Sequence, residues 1–91
     1  MKEIVIMFQS GAWIASADSP ITLQDQIILF SNQSTRQCLI IFKEKEAFGI
    51  LGIVIAPESG FALVYRGVPT EFRLSTVVHD SDTHNPTIPP G

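Results

Sequence analysis

Three apolar runs in the middle of the chain alternate with short polar turns. These runs and turns are, in order, Leu39–Phe42, Lys43–Glu46, Ala47–Ala56, Pro57–Gly60 and Phe61–Tyr65. Short runs rich in Ile, Val, Leu and Phe that end at turn residues predict consecutive antiparallel strands sharing one core. We therefore expect Gln37–Lys43 and Phe48–Ala56 to pair as a hairpin, and Phe61–Tyr65 to return across the next turn. Gly49 and Gly52 predict a bulge, a bend or the close approach of another backbone.

Further strands are predicted on both sides of this segment. Ile4–Phe8 is a continuous apolar run, which is typical of a strand buried on both faces or covered by a partner. Ala12–Ala17 fits a short second strand anchored by Trp13. Glu71–His79 fits the last strand, and its alternate residues Phe72, Leu74 and Thr76 would share one face.

The segment Pro20–Ile28 has two interpretations. Ser19 and Pro20 suit the start of a helix, because serine caps a helix and proline fits its first position. Ile27–Phe30, however, fits a strand. We expect one short helix or turn that leads into a strand.

Taken together, the pattern predicts a mainly β fold. We expect a bent antiparallel sheet or a small open barrel of about five to seven strands with at most one short helix; an α+β fold is the alternative. Residues 1–79 should form one compact domain. Residues 80–91 form a polar tail containing Pro86, Pro89 and Pro90, too poor in apolar residues to fold alone, which we expect to be mobile or draped over a partner.

The chain has few charges for its size. Of 91 residues, 45% are hydrophobic and 16% are charged, and the net charge is −3. A typical domain carries about 25% charged residues, so we expect excess apolar surface and a homo-oligomer, most simply a dimer. Self-association would use the edge of a strand such as Ile4–Phe8, which has no lysine within it, or an exposed apolar sheet face. The acidic balance argues against binding to nucleic acid or to an anionic membrane.

Cys38 and the apolar runs of the chain are informative about the cellular compartment. A single cysteine forms no internal disulfide, so Cys38 fits a reducing cytoplasm and the role of a small buried hydrophobe. Ile4–Phe8 is too short for a signal peptide, and the longest apolar run, Ala47–Ala56, is far below the roughly 20 residues of a spanning helix. We expect a cytoplasmic protein.

No motif in the sequence predicts catalysis, a cofactor or a metal site. The cluster His79–His84 has ligand chemistry but no established ligand spacing, and Gly49–Gly52 lacks the third glycine of a dinucleotide-binding turn. We therefore expect a non-enzymatic binding or interaction module, with a protein or a small molecule as its partner.

The alternative is a small-molecule-binding domain or a minimal enzyme. Its pocket would lie near Trp13, Tyr65, Arg66 and His79, with Arg66 as an anion anchor and His79 as a general base.

Parts of the chain resemble a known family. The segments that carry the likeness are Cys38–Lys43, the Gly-Ile-Leu-Gly-Ile-Val-Ile run at 49–55, Val64–Pro69 and Val77-Val78-His79. They resemble, in this order, conserved strands and a Gly-Gly-Pro turn of the AlgH/YqgE family, although Val68 stands where the family has its second glycine. The resemblance covers about half of the chain and implies a minimal or rearranged version of that fold. It implies no catalytic residue, because the family has no established catalytic activity.

Overall fold

The computed structural model describes residues 1–17, 19 and 21–77 of the 91. It contains seven β-strands: β1 (Lys2–Gln9), β2 (Ala12–Ala17), β3 (Ile27–Asn32), β4 (Cys38–Phe42), β5 (Gly52–Ile55), β6 (Ser59–Val64) and β7 (Phe72–Thr76). One 3-10 turn, Lys45–Ala47, completes the regular structure. The predicted mainly β fold is confirmed. The helical turn lies in the segment between β4 and β5 and not at residues 21–26, where a turn leads directly into β3.

A four-stranded sheet has the order β2-β1-β3-β6. Ser10 and Gly11 join β1 to β2 with φ values of 53° and 79°, and a two-residue hairpin of the type I′ class needs positive φ at both positions. β3 lies on the other side of β1 and runs parallel to it. This parallel pair departs from the antiparallel prediction; β2, which runs antiparallel to β1, brings the chain back toward the start of β1 before β3 begins.

A three-stranded antiparallel sheet has the order β5-β4-β7. β4 and β5 pair as predicted, but their connection extends over residues 43–51 and is longer than the expected charged turn. β6 does not pair with β5. The turn at residues 56–58 carries the chain into the other sheet, where β6 pairs with β3 and places Phe61 opposite Phe30.

The hydrophobic core lies between the two sheets. It is formed by alternate residues of the central strands, namely Ile4, Ile6, Ile28, Phe30, Cys38, Ile40 and Phe42, together with Ile55 of β5, Ala47 and Phe48. Phe30 is at the centre, with the rings of Phe42, Phe48 and Phe72 at centroid distances of 5.8, 5.6 and 6.0 Å. Phe72, Leu74 and Thr76 share the inner face of β7, as predicted, because they pair with the buried residues of β4.

Asn32 joins the two sheets through hydrogen bonds. Its side chain is 1% exposed, at the end of β3. The Nδ2 group donates to the carbonyls of Arg36, Ile55 and Ala56 at 2.8, 3.1 and 3.2 Å. Oδ1 accepts from the backbone N–H and the hydroxyl of Ser34 at 3.0 and 2.7 Å. One amide therefore links β3, the loop that follows it and the end of β5.

Candidate interaction surface

The side of the four-stranded sheet that faces away from the core is apolar. Because successive residues of a strand point to opposite faces, burial of Ile4 and Ile6 turns Val5 and Met7 outward. The register adds residues of the other three strands to the same side. We call this surface the outer face; its apolar residues are Val5, Met7, Ala12, Ile14, Ile27, Leu29, Ala62 and Val64.

Several side chains of the outer face are strongly exposed. Ile14, Ile27 and Val64 expose 45%, 42% and 65% of their surface. They come from three different strands, β2, β3 and β6. In the register Ile14 lies beside Met7, whereas Ile27 and Val64 lie side by side at the opposite end of the strands, and the half-buried Val5 and Leu29 lie between them. The apolar side chains therefore follow a diagonal across the sheet. Patches of this kind on a small domain mark interaction sites.

Glu3 is the one charged residue of the outer face among the described strands. It lies beside Leu29 near the start of β1. The other charged residue of this sheet, Lys2, has the opposite orientation in the register, and its Nζ donates to the Ser19 hydroxyl at 2.7 Å. The charge is thus confined to one end of the outer face, and the remaining polar residues are small or neutral.

The structure separates Trp13 from Tyr65. Trp13 is on β2, beside Phe8, and its Nε1 donates to the Thr76 hydroxyl of β7 at 3.1 Å. Tyr65 follows β6, at the other edge of the sheet, and its N–H donates to the Gln26 carbonyl at 2.8 Å. The two rings are thus roughly 14 Å apart across the strands and roughly 25 Å apart along them. They do not line one pocket.

Tyr65 and Arg66 do lie together, at the end of the molecule where β6 stops. The Tyr65 hydroxyl donates to the Val68 carbonyl at 3.0 Å, and its ring packs 5.3 Å from Phe48. The Arg66 N–H donates to the Ala47 carbonyl at 2.8 Å. Its guanidinium lies so close to the backbone of Gly49 that an added Cβ there would be 2.5 Å from Nη2. His79 and the His79–His84 cluster lie outside the described residues.

The structure explains the presence of glycine at positions 49 and 52 in two different ways. Gly49 is in the loop before β5 and has a φ of +77°, a backbone region that favours glycine. Gly52 is the first residue of β5, and a Cβ there would be 2.5 Å from the Ile40 carbonyl oxygen. The predicted close approach of another backbone is confirmed at Gly52. Neither glycine points to a phosphate-binding role.

Cys38 is fully buried between the two sheets, as expected for a small hydrophobe. Burial raises the pKa of its thiol to about 11 from the ordinary 9.0, and a backbone hydrogen bond from Ser75 lowers it only in part. The reactive species of cysteine is the thiolate. Cys38 is therefore chemically inert at neutral pH in the folded chain.

Two open hollows lie on the surface of the described part of the chain. One, of about 490 Å³, is lined by residues 41–43, at the end of β4, and by residues 71–73, at the start of β7, with Lys43, Glu71 and Arg73 as its charged groups. The other, of about 420 Å³, is lined by residues 29, 31–33 and 58–60. No group of three metal-ligating residues occurs in the described ranges.

Sequence analysis missed two features that the structure shows. The outer face was not recognised as one surface, although the spacing of Val5 and Met7, or of Ile27 and Leu29, is the period of two that marks one side of a strand. The second feature is Asn32, because its polar surroundings are typical of a loop, whereas the structure places it at the end of β3. Its Asn-Gln-Ser context matches a glycosylation acceptor, but the structure buries the amide nitrogen that a glycan would modify.

Comparison of the chain with family models, with curated proteins and with solved structures found no match. The resemblance to the AlgH/YqgE family therefore stays a prediction. No helix in the described part of the chain has the length and apolar character needed to cross a membrane.

Proposed function

We propose that this chain is a non-enzymatic interaction module that self-associates through the outer face. The observation that supports this proposal is that all four strands contribute apolar side chains to the outer face, while Glu3 is its one charge among the described residues. The core has its own apolar residues on the inner faces of both sheets, so the outer face is not needed for folding of the single chain.

The size of the outer face fits a modest dimer. Four strands about 4.8 Å apart and about six residues long, at about 3.3 Å per residue, cover roughly 400 Å² per copy. Two copies would cover roughly 800 Å² before the relief of the side chains is counted, against the roughly 1,000 Å² expected of a specific interface.

A second copy suits this face better than a charged partner. Two-fold symmetry presents the same patch on both sides of an interface. An apolar patch with a carboxylate at one end is self-complementary when the two copies run in opposite directions, because Glu3 of each copy then lies at a different end of the interface. Two sheets pack in this way with their strands nearly aligned, about 10 Å apart.

Sedimentation velocity over about 1–100 µM tests the proposal. The natural chain should form a dimer within this range, and Met7→Lys or Val5→Lys should shift it toward monomer, because a lysine ammonium would be buried without a partner. Thr35→Lys adds the same charge at an exposed loop position away from the outer face and is the matched control. Circular dichroism confirms that each variant is folded. A monomer at all concentrations, or equal effects of Met7→Lys and Thr35→Lys, would contradict the proposal.

A further inference from the structure

The larger surface hollow, of about 490 Å³, lies on the three-stranded sheet where β4 ends and β7 begins. A volume of this size is within the range of small-molecule sites, which combine an apolar base with a few convergent polar groups. Among the described residues, the hollow is lined by three apolar and three charged side chains, namely Ile41, Phe42, Phe72, Lys43, Glu71 and Arg73. This composition suits a ligand that has both an apolar and a charged part.

The charged side chains lie together on the side of the three-stranded sheet that faces away from the core. Because Phe42 is buried in the core, its neighbours Ile41 and Lys43 point to the opposite side. Arg73 is the partner of Ile41 in the register. The Lys43 N–H donates to the Glu71 carbonyl at 2.9 Å, so these two residues continue the same pairing by one step. Paired positions are about 5 Å apart and alternate positions about 7 Å apart, so the three charged groups surround one small area.

The space beside β7 depends on Gly52 of β5. Ile41 pairs with Gly52 on one side and with Arg73 on the other. The Cδ1 atom of Ile41 lies 2.9 Å from the position that a Cβ of Gly52 would take. The Ile41 side chain therefore leans over the glycine, away from β7, and leaves the surface beside Arg73 open.

The charges of the hollow favour a ligand with a single negative charge. Lys43 and Arg73 contribute two positive charges and Glu71 one negative charge, so the net charge of the lining is +1. A guanidinium has five N–H donors and binds a carboxylate through two parallel hydrogen bonds. A phosphate ester, which carries about two negative charges near neutral pH, matches this lining less well.

We propose that this hollow binds a small organic monocarboxylate with an apolar chain. Arg73 and Lys43 hold the carboxylate, and the apolar chain covers the half-buried Ile41 and Phe72. This binding function goes beyond the self-association proposed above, because the hollow belongs to the three-stranded sheet and the outer face to the four-stranded sheet.

Hexanoate is the probe, and NMR titration of the full chain at constant ionic strength is the measurement. We expect saturable shifts centred on the amides of residues 41–43 and 71–73, with a Kd of roughly 1–10 mM, since the ligand is small and the hollow is open. Hexanamide has the same chain without the charge. It should bind roughly tenfold more weakly, because it loses the charge-assisted hydrogen bonds.

Three variants separate the charge of the site from the integrity of the fold. Glu71→Gln should bind hexanoate roughly threefold more tightly, because it removes a repelling carboxylate; a damaged fold would not give a gain. Arg73→Gln should weaken binding roughly tenfold. Lys45→Gln removes a charge from the exposed 3-10 turn outside the hollow and should leave binding unchanged.

Met7→Lys should bind hexanoate as the natural chain does, so this proposal and self-association can fail separately. The absence of saturable shifts at tens of millimolar hexanoate would overturn the proposal. Equal binding of hexanamide and hexanoate, or equal effects of Arg73→Gln and Lys45→Gln, would also overturn it.

Discussion

Among the polar residues that the structure describes, Asn32 should cause the largest loss of stability when it is replaced. Its amide donates to three carbonyls and accepts from two groups of Ser34. Because Nδ2 has two hydrogens for three acceptors, the side chain makes about four full hydrogen bonds. Asn32→Leu keeps the number and branching of the side-chain heavy atoms and removes all of these hydrogen bonds.

The magnitude follows from the burial of the partners. Four hydrogen bonds at about 1 kcal/mol each give about 4 kcal/mol. Arg36 and Ala56 are exposed, so water can replace the donor to their carbonyls, whereas Ile55 and Ser34 are buried. We therefore expect Asn32→Leu to lower the free energy of unfolding by about 3 kcal/mol, which for a domain of this size corresponds to a fall in Tm of roughly 12–24 °C.

Urea denaturation, followed by Trp13 fluorescence and by circular dichroism, measures this loss. Gln33→Leu, at the exposed neighbouring position, is the matched control and should change the free energy of unfolding by less than about 0.5 kcal/mol. Asn32→Asp should be more destabilising at pH 7 than at pH 4, because an ionised carboxylate would face the carbonyl oxygens and a protonated one can donate to them. A loss below about 1 kcal/mol for Asn32→Leu would refute the role of Asn32 as the link between the sheets.

Three further predictions concern charge, proton binding and backbone contact. Glu3→Gln should lower the dissociation constant of the dimer several-fold in sedimentation, because it removes the one charge from the described part of the outer face. An unchanged or weaker dimer would place Glu3 outside the interface. Burial raises the pKa of the Cys38 thiol to about 11 in the folded chain, whereas the same thiol ionises near pH 9 in the unfolded chain. The free energy of unfolding should therefore fall as the pH rises from 9 toward 11, because only the unfolded chain then loses this proton. Denaturation at several pH values should show that Cys38→Ala reduces this slope; the same slope in both proteins would assign it to other groups. Gly52→Ala should lower the free energy of unfolding by about 1–3 kcal/mol in thermal denaturation, because the new Cβ would clash with the Ile40 carbonyl. Gly60→Ala should lower it less, because its Cβ would meet the flexible end of the Leu29 side chain. Equal losses in the two variants would contradict this prediction.

The local pattern of the sequence was sufficient for the positions of the strands and for the inner side of β7. Apolar runs ending at Gly, Pro and charged turns placed seven strands close to their observed positions, since strand formation here depends on neighbouring residues. The alternation of Phe72, Leu74 and Thr76 predicted their shared face correctly. The buried character of Cys38 also followed from its place at the start of an apolar run.

The tertiary structure alone decided which strands pair and where the functional surface lies. The sequence has no signal that sends β6 to β3 instead of β5, because that choice depends on packing Phe61 beside Phe30, more than 25 residues away along the chain. Trp13 and Tyr65 were grouped by residue type, but the sheet order places them at opposite edges. The sequence around Asn32 is typical of a loop, and only the folded chain brings the carbonyl groups at the end of β5 to its amide. The outer face likewise exists only once four strands from separate parts of the chain lie side by side, since no single strand carries enough apolar surface to form it.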